Sequence, residues 1–209
     1  MQDHYEKKGD YNTLLELLHS KAERKDLDSR CLNEDPLYRS LKHYYEENND
    51  YAGKKNLFNL HLQQNELDLK FFKEAESVLN PKDWEIFKPQ WIDATQNKRD
   101  QLAEVYNYLD EKEALWKVVK KDQVLLKKYE TKLLPLYTQD YLKLYQTIID
   151  DCILARGRDN YKIAAQYAQT VKNIYVKILK QPSLWHSYIT QILQSNKILR
   201  GLQEEFRNL

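Results

Sequence analysis

The chain has 209 residues, of which 42% are hydrophobic and 31% are charged, and its formal net charge at pH 7 is +1. That apolar fraction suffices for a core at this length, and the balance of acids and bases argues against disorder driven by charge repulsion. With so small a net charge, the chain as a whole has no strong electrostatic attraction to nucleic acid or to an acidic membrane. Only 4 Gly and 5 Pro accompany 16 Tyr, too few turn formers for a sheet protein, so the composition predicts helices joined by short loops.

The sequence carries no sign of a membrane span, a signal peptide or a zinc site. No apolar run approaches the roughly 20 residues that a membrane-spanning helix needs, and residues 1–9 lack the pattern of a secretory signal. Cys31 and Cys152 lie far apart and outside any Cys-x-x-Cys pair, a spacing that is not a zinc pattern and that favours free thiols in a reducing compartment over a disulfide. We therefore expect a cytoplasmic protein.

Turn-and-cap patterns mark the starts of the predicted helices. Residues 1–8 resemble the end of a helix, and Gly-Asp-Tyr at 9–11 predicts a turn into its hairpin partner. Similar turns recur at 49–51 and at 159–161, where Asp159 is the predicted N-cap. Further helix starts are predicted at Asp35, Asn80 and Asp122. Because the first helix of the opening hairpin is missing, we interpret the chain as the C-terminal part of something longer.

Residues 81–97 form the least regular stretch of the sequence. They include two tryptophans, Phe87 and two prolines, which predicts aromatic side chains buried in short, kinked turns. Flexible linkers do not carry two tryptophans. A boundary between two sub-arrays of helices is therefore predicted near residues 80–97.

The clearest helical periods lie in the C-terminal third. Apolar residues recur every three or four positions over 161–179 and every seven positions over 185–206, where one last helix is predicted. Over 141–155 the apolar residues form two faces, typical of a helix covered on both sides in a layered stack. The sequence predicts an all-α fold of stacked helical hairpins, a tetratricopeptide-like α-solenoid of about ten or eleven helices forming a single helical-repeat domain over residues 1–209.

The residues that could take part in catalysis or bind a metal ion are scattered along the sequence. Glu16 and His19 have the Glu-x-x-His spacing of di-iron bundle ligands, but such sites need two of these elements and the sequence has no second one. There is no G-x-S-x-G elbow, and the four glycines lie too far apart for a phosphate-binding loop. We expect no enzyme activity, no cofactor and no metal site. An unrecognised enzyme remains an alternative, and it requires a deep pocket near His43 or near Glu16 and His19.

One charged cluster stands out over residues 117–132. Its six lysines are accompanied by only two acids, Asp122 and Glu130, and lie close to Trp116 and Tyr129. This lysine strip consists of Lys117, Lys120, Lys121, Lys127, Lys128 and Lys132. It would suit a phosphate backbone, with the aromatic side chains stacking on bases. The other interpretation is the solvated outer face of helices whose apolar side packs inward.

Several segments in the second half of the chain form a recognisable set. They are DQVLLKKY (122–129), LLPLY (133–137), YLKLY (141–145), NYKIA (160–164), VKNIY (171–175), WHSYI (185–189) and LRGLQEEF (199–206). From about residue 100 to the end, the chain resembles the helical region of bacterial SWIM zinc-finger proteins. Before that point the resemblance is only architectural.

The resemblance implies a zinc finger upstream of these helices. Members of that family carry Cys-x-Cys … Cys-x-His ligands there and are predicted to bind DNA or protein. The two lone cysteines of this chain cannot supply that ligand set. Zinc is therefore implied only through a region not in this chain, and no residue here is assigned as a ligand.

These observations favour a non-catalytic helical-repeat module that scaffolds a protein partner, as the C-terminal part of a protein similar to the SWIM family. The alternative is a nucleic-acid-binding helper that uses the lysine strip. No membrane partner is expected. A protein-binding module should present a groove lined by exposed Tyr, Lys or Gln side chains that the fold itself does not need.

Overall fold

The computed structural model describes residues 10–24, 32–65, 67–207 and 209. Within these ranges it contains thirteen α-helices and no strand. The all-α prediction is therefore confirmed, whereas the expected ten or eleven helices were too few. The tetratricopeptide-like solenoid stays a prediction.

The helices follow one another with short connections. The first seven are α1 Tyr11–Arg24, α2 Pro36–Glu47, α3 Tyr51–Gln64, α4 Leu69–Val78, α5 Pro81–Ala94, α6 Arg99–Tyr108 and α7 Lys112–Val119, with a 3-10 turn at Leu32–Glu34 before α2. The others are α8 Gln123–Lys128, α9 Glu130–Leu133, α10 Thr138–Ala155, α11 Arg158–Asn173, α12 Pro182–Ser195 and α13 Arg200–Phe206, with a π-helical segment at Ile174–Ile178. None of the helices described has the length and apolar character to cross a membrane. The predicted helix end at residues 1–8, and Gly9, lie outside the described residues.

Most of the helices predicted from N-caps begin where the sequence placed them. Asp35, Asn80 and Asp122 each accept a hydrogen bond from a backbone N–H two or three residues later, at 2.9–3.1 Å. Asp50 caps α3 in the same way. Such caps satisfy N–H groups that have no partner within the helix. The N-cap prediction at Asp159 was wrong, because α11 already begins at Arg158 and the aspartate lies in its first turn.

The chain divides into two compact units, Met1–Val119 and Lys120–Leu209. We call them unit 1 and unit 2. The predicted sub-array boundary near residues 80–97 lies inside unit 1, in α5.

The prediction of short, kinked turns in this stretch was wrong, although the prediction of buried aromatic residues was right. Residues 81–94 form one helix that holds Pro89 in its interior. The side chains of Phe87 and Trp91 are 4% and 0% exposed. The burial of these two aromatic rings stabilises the helix and offsets the free-energy cost of its internal proline.

Helix α3 is the central layer of unit 1. Leu57 and Leu60 pack in a cluster with residues of α1 and α2, whereas Phe58 belongs to a second cluster with residues of α4, α5 and α6. The two faces of α3 are therefore covered by different neighbours. This arrangement places α2 and α4 on either side of α3, which matters for the groove described below.

Helix α10 is buried on two sides in unit 2, as its sequence predicted. Tyr141, Tyr145 and Ile149 are 0% exposed. The hydroxyl of Tyr141 donates to the carbonyl oxygen of Leu126 in α8 at 3.1 Å. The ring of Tyr145 lies 5.1 Å from that of Tyr167 in α11. The long α10–α11 hairpin is thus the core of this unit.

The single last helix predicted over 185–206 is two helices. Helix α12 ends at Ser195, where the side-chain amide of Asn196 donates to the carbonyl oxygen of Ile192 at 2.9 Å. A side chain that takes up a helix-end carbonyl in this way favours termination. The apolar stripe continues across the break, since Ile192 and Phe206 are both buried.

Candidate functional site

The lysine strip lies on the outer faces of short helices. Lys117 is in α7, Lys127 and Lys128 are in α8, and all three are exposed. Lys120 and Lys121, in the turn between α7 and α8, are also exposed, whereas Lys132 in α9 is partly buried. Because unit 1 ends at Val119, Lys117 belongs to one unit and the other five lysines belong to the other.

The aromatic residues beside the strip are packed inside the fold. Trp116 is 8% exposed and Tyr129 is 7% exposed, so they offer little ring surface for stacking on bases. Leu115 and Leu125, on the opposite side of the same helices, are also buried. This geometry matches the solvated-face interpretation of the strip.

Lys127 and Lys128 are among the strip lysines that have partners in unit 2. Lys127 Nζ lies 2.7 Å from a carboxylate oxygen of Glu130. The same oxygen accepts a 2.6 Å hydrogen bond from the hydroxyl of buried Tyr145. Lys128 Nζ lies 5.5 Å from the ring centroid of Tyr129, within the range of a cation–π contact.

A groove runs along α3 in unit 1, with α2 and α4 as its walls. Along it, Arg39, Lys42 and Glu46 of α2 meet Lys70, Glu74 and Val78 of α4 in the same order. The two walls therefore run parallel, and α3 runs antiparallel beneath them. We call this the α2–α4 groove. Arg39 and Glu46, at its two ends, are seven residues apart on α2, which is a helical rise of about 10 Å and gives the length of the groove.

One end of the α2–α4 groove is polar. Its cleft has an empty volume of about 700 Å³ and is lined by Asn33, Tyr38, Arg39, Lys42, Asp68, Lys70, Phe71 and Glu74. Arg39 Nη2 donates to the backbone carbonyl of Glu34 at 2.8 Å, which orients the guanidinium without neutralising it. The carboxylate of Asp68 accepts the backbone N–H of Phe71 at 2.7 Å as the N-cap of α4.

The other end of the α2–α4 groove is more apolar. Its cleft has an empty volume of about 360 Å³ and is lined by Tyr38, Lys42, Glu46, Lys54, Leu57, Phe58, Glu74 and Val78. Leu57 and Phe58 of α3 form the floor, and Val78 of α4 stays partly exposed in the wall. Glu46 and Lys54 carry charge at the rim.

An ion pair bridges the two walls at the middle of the groove. Lys42 Nζ lies 2.6 Å from Glu74 Oε1, and both side chains are about one-third exposed. These two residues, with Tyr38, line both ends of the groove. The pair is partly solvated, so its contribution to stability is small, on the order of 1 kcal/mol or less.

Buried polar and aromatic contacts hold the groove floor in place. Tyr38 Oη and His61 Nε2 lie 2.9 Å apart, at hydrogen-bond distance. The His61 ring packs against Phe71, with centroids 4.0 Å apart. Asp35, which is 0% exposed, caps α2 and lies 3.7 Å from Lys21 of α1. These contacts fix α2, α3 and α4 relative to one another.

A second polar network joins α3 to the start of α5. Asp83 accepts hydrogen bonds from Lys55 Nζ at 2.6 Å and from the Tyr51 hydroxyl at 2.5 Å. The bond from Lys55, and then that from Tyr51, hold the pKa of the Asp83 carboxyl below its ordinary value. The hydrogen bond to Asp83 likewise raises the pKa of Lys55. The network therefore stabilises the folded state when the Asp83 carboxyl is ionised.

The residues considered for catalysis lie apart from the α2–α4 groove. His43 Nε2 lies 3.3 Å from Glu47, but the two side chains are 72% and 64% exposed. Glu16 is exposed and His19 is partly buried on α1. In the part of the chain that the structure describes, no group of three or more His, Cys, Asp or Glu residues is arranged to hold a metal ion.

The thiol of Cys152 has the properties of a structural cysteine. Burial, and then the charge of Asp151, raise the pKa of Cys152. The same two causes raise the pKa of Asp150. A raised thiol pKa lowers the fraction of thiolate, which is the nucleophilic form.

Sequence reasoning missed the α2–α4 groove. The available signal was a pair of charged stripes, at positions 39, 42 and 46 and at positions 70 and 74, with helical spacing on two helices separated by one other. Each stripe by itself is typical of a solvated helix face.

Comparisons with known proteins found no match: no protein-family model, no curated protein and no solved structure matches the chain. The resemblance to bacterial SWIM zinc-finger proteins therefore stays a prediction.

Proposed function

We propose that the chain is a non-catalytic helical module that binds a protein partner, and that a segment of the partner occupies the α2–α4 groove. The groove is the observation that carries this proposal. It joins a partly open apolar surface to charged side chains, which is the composition of a peptide-binding site.

The wall residues of the groove are not explained by the needs of the fold. Lys70 and Lys54 have no hydrogen-bond or ion-pair partner among the described residues. Glu46 is exposed at the rim. None of these three side chains takes part in the helix caps or in the buried aromatic contacts described for unit 1, so their convergence on one groove favours a binding role.

A cytoplasmic location, and a place as the C-terminal part of a protein similar to the SWIM family, are further parts of the proposal. They rest on the sequence alone. A zinc finger upstream of such a module would recruit its own target while the helices hold a second partner.

Peptide display tests the proposal. The full chain is immobilised and a phage library of random 12-residue peptides is selected against it. We expect enriched peptides whose affinity falls about tenfold for Lys42→Glu, because this change sets two carboxylates against each other across the groove. The matched control is Lys82→Glu, a charge reversal at an exposed position of α5 outside the groove, which should leave the affinity unchanged.

Two outcomes contradict the proposal. One is a selection in which no peptide is enriched over the bare support. The other is a set of enriched peptides that bind the wild-type chain and the Lys42→Glu variant equally. Circular dichroism of both variants confirms that the fold is intact.

A further inference from the structure

We infer that the α2–α4 groove recognises an extended peptide segment that places an acidic side chain at the polar end and an apolar side chain at the other end. This inference rests on the proposed function and specifies its ligand class. It follows from the charges at one end, the apolar floor at the other end and the ion pair that joins the two walls between these ends.

The polar end favours a carboxylate. Arg39, Lys42 and Lys70 bring three positive charges to the cleft, against the two negative charges of Asp68 and Glu74. Glu74 is paired with Lys42, and Asp68 is engaged by the N-terminus of α4, whose dipole offsets part of its charge. The cations with no acidic partner among the described residues are therefore Arg39 and Lys70. A planar guanidinium beside an ammonium suits a side-chain carboxylate.

The opposite end favours an apolar side chain. Leu57 and Phe58 form a floor that belongs to the packed core of unit 1, so the floor is rigid. Val78 leaves part of its surface open beside it. An apolar residue of a partner would cover this surface without any rearrangement of the floor, which favours binding.

The ion pair across the groove favours an extended segment. Lys42 and Glu74 reach across it and make contact at 2.6 Å. A segment that crosses this point must take over the hydrogen bonds of both side chains, which an extended backbone can do and a helix, whose backbone N–H and C=O groups are bonded to one another, cannot. An extended chain rises about 3.3 Å per residue, so the groove length of about 10 Å separates the acidic and apolar side chains by about two to four residues.

The ion pair at the centre has a role in this recognition. A peptide backbone lying between the walls would face both Lys42 and Glu74. Lys42 would donate to a backbone carbonyl, and Glu74 would accept from a backbone N–H. In this structure the same pair closes the middle of the groove.

Charge exchange between protein and peptide tests the inference. The probe is the most enriched 12-residue peptide from the display selection, labelled with a fluorophore, and binding is measured by fluorescence anisotropy. We expect the enriched sequences to share an Asp or Glu two to four residues from a Leu, Ile, Val or Phe. For the double variant Arg39→Glu/Lys70→Glu the affinity should fall at least about tenfold, and a peptide whose acid is changed to Lys should recover it.

The controls separate charge from folding. Lys82→Glu/Lys112→Glu makes the same change in net charge at two exposed positions of unit 1 outside the groove, and should leave binding unchanged. Lys70→Glu alone keeps the contact of Arg39 with the carbonyl of Glu34, and should give an intermediate loss. This single variant keeps the test decisive if the double variant unfolds.

The outcomes distinguish this inference from the proposed function. Peptides that lose affinity with Lys42→Glu but are indifferent to Arg39→Glu/Lys70→Glu, or that are rich in Lys and Arg, would overturn the acidic ligand and leave the groove as the binding site. A selection that enriches no peptide would overturn both.

Discussion

The two units use their charged and polar side chains in opposite ways. In unit 1, charges on α2 and α4 face each other across a groove, with Lys42 and Glu74 in contact at its centre. In unit 2, Lys120, Lys121, Lys127 and Lys128 are exposed, and Glu130 is bonded to the hydroxyl of buried Tyr145 within the unit. In this chain the densest charge cluster of the sequence lies mostly on exposed helix faces, whereas the candidate site lies where a few charged side chains of α2 and α4 face each other along α3.

The largest expected effect concerns the packing beneath the groove. A Cβ atom added at Gly53 of α3 would overlap the ring of buried Tyr45 of α2. Gly53→Ala should therefore lower the free energy of unfolding of unit 1 by about 1–3 kcal/mol, the usual cost of overpacking. At Gly201 of unit 2 the added atom would lie 3.3 Å from Tyr161, so Gly201→Ala should be close to neutral, because its better helix propensity offsets the tight contact.

Hydrogen-exchange mass spectrometry checks this pair of variants, because it reports opening separately for each unit. Equal protection in Gly53→Ala and wild-type protein would show that Tyr45 moves aside at little cost. The floor of the groove would then be less rigid than proposed.

A smaller effect is expected at the buried tyrosine of unit 2. Tyr145→Phe removes the hydroxyl that donates to Glu130 at 2.6 Å. A hydrogen bond to a charged group contributes about 1.5–3 kcal/mol, and Lys127 continues to pair with the carboxylate, so a loss of about 1–2 kcal/mol is expected. Tyr51→Phe, the counterpart in unit 1, should cost less, since Tyr51 is more exposed and Asp83 keeps Lys55.

Urea unfolding followed by circular dichroism measures both tyrosine variants against wild type. A larger loss for Tyr51→Phe than for Tyr145→Phe would reverse the contrast drawn between the units.

The Asp83 network should make part of the stability of unit 1 depend on pH. Because the pKa of Asp83 is lower in the folded state, its stabilising contribution is complete above the ordinary aspartate pKa of about 4. It is lost as the pH falls through the folded-state value. Asp83→Asn should therefore be less stable than wild type at neutral pH, and the difference should shrink below about pH 4. A difference that does not vary between pH 2 and pH 7 would contradict this role.

The smallest effect is expected for the lysine strip. The nucleic-acid alternative predicts DNA binding that weakens steeply with salt and disappears when Lys120, Lys121, Lys127 and Lys128 are all changed to Glu. Since Trp116 and Tyr129 are buried, we expect only weak retention on DNA at low salt and a small change in this variant. Tight, strongly salt-dependent binding that the variant abolishes would make the strip the functional site.

The sequence predicted several features of the fold that depend on local chemistry, although not the start of α11, where Asp159 is not the N-cap. N-caps such as Asp35 and Asp122 act on residues two or three positions away, and the two apolar faces of α10 follow from helical periodicity. The break at Asn196 was missed because the apolar stripe continues across it. The groove was missed because it requires α2 and α4 to lie parallel on either side of α3, a long-range arrangement that neither charged stripe reveals.

The most direct test of the central claim is to locate the bound peptide by NMR. The ¹⁵N-labelled chain is titrated with the peptide enriched in the display selection, and changes in amide chemical shift are mapped onto the helices. We predict that the largest changes fall in α2, α3 and α4, at residues that line the α2–α4 groove, with little change in unit 2. Changes concentrated in α8 to α13, with α2 and α4 unaffected, would contradict the assignment of the groove as the binding site.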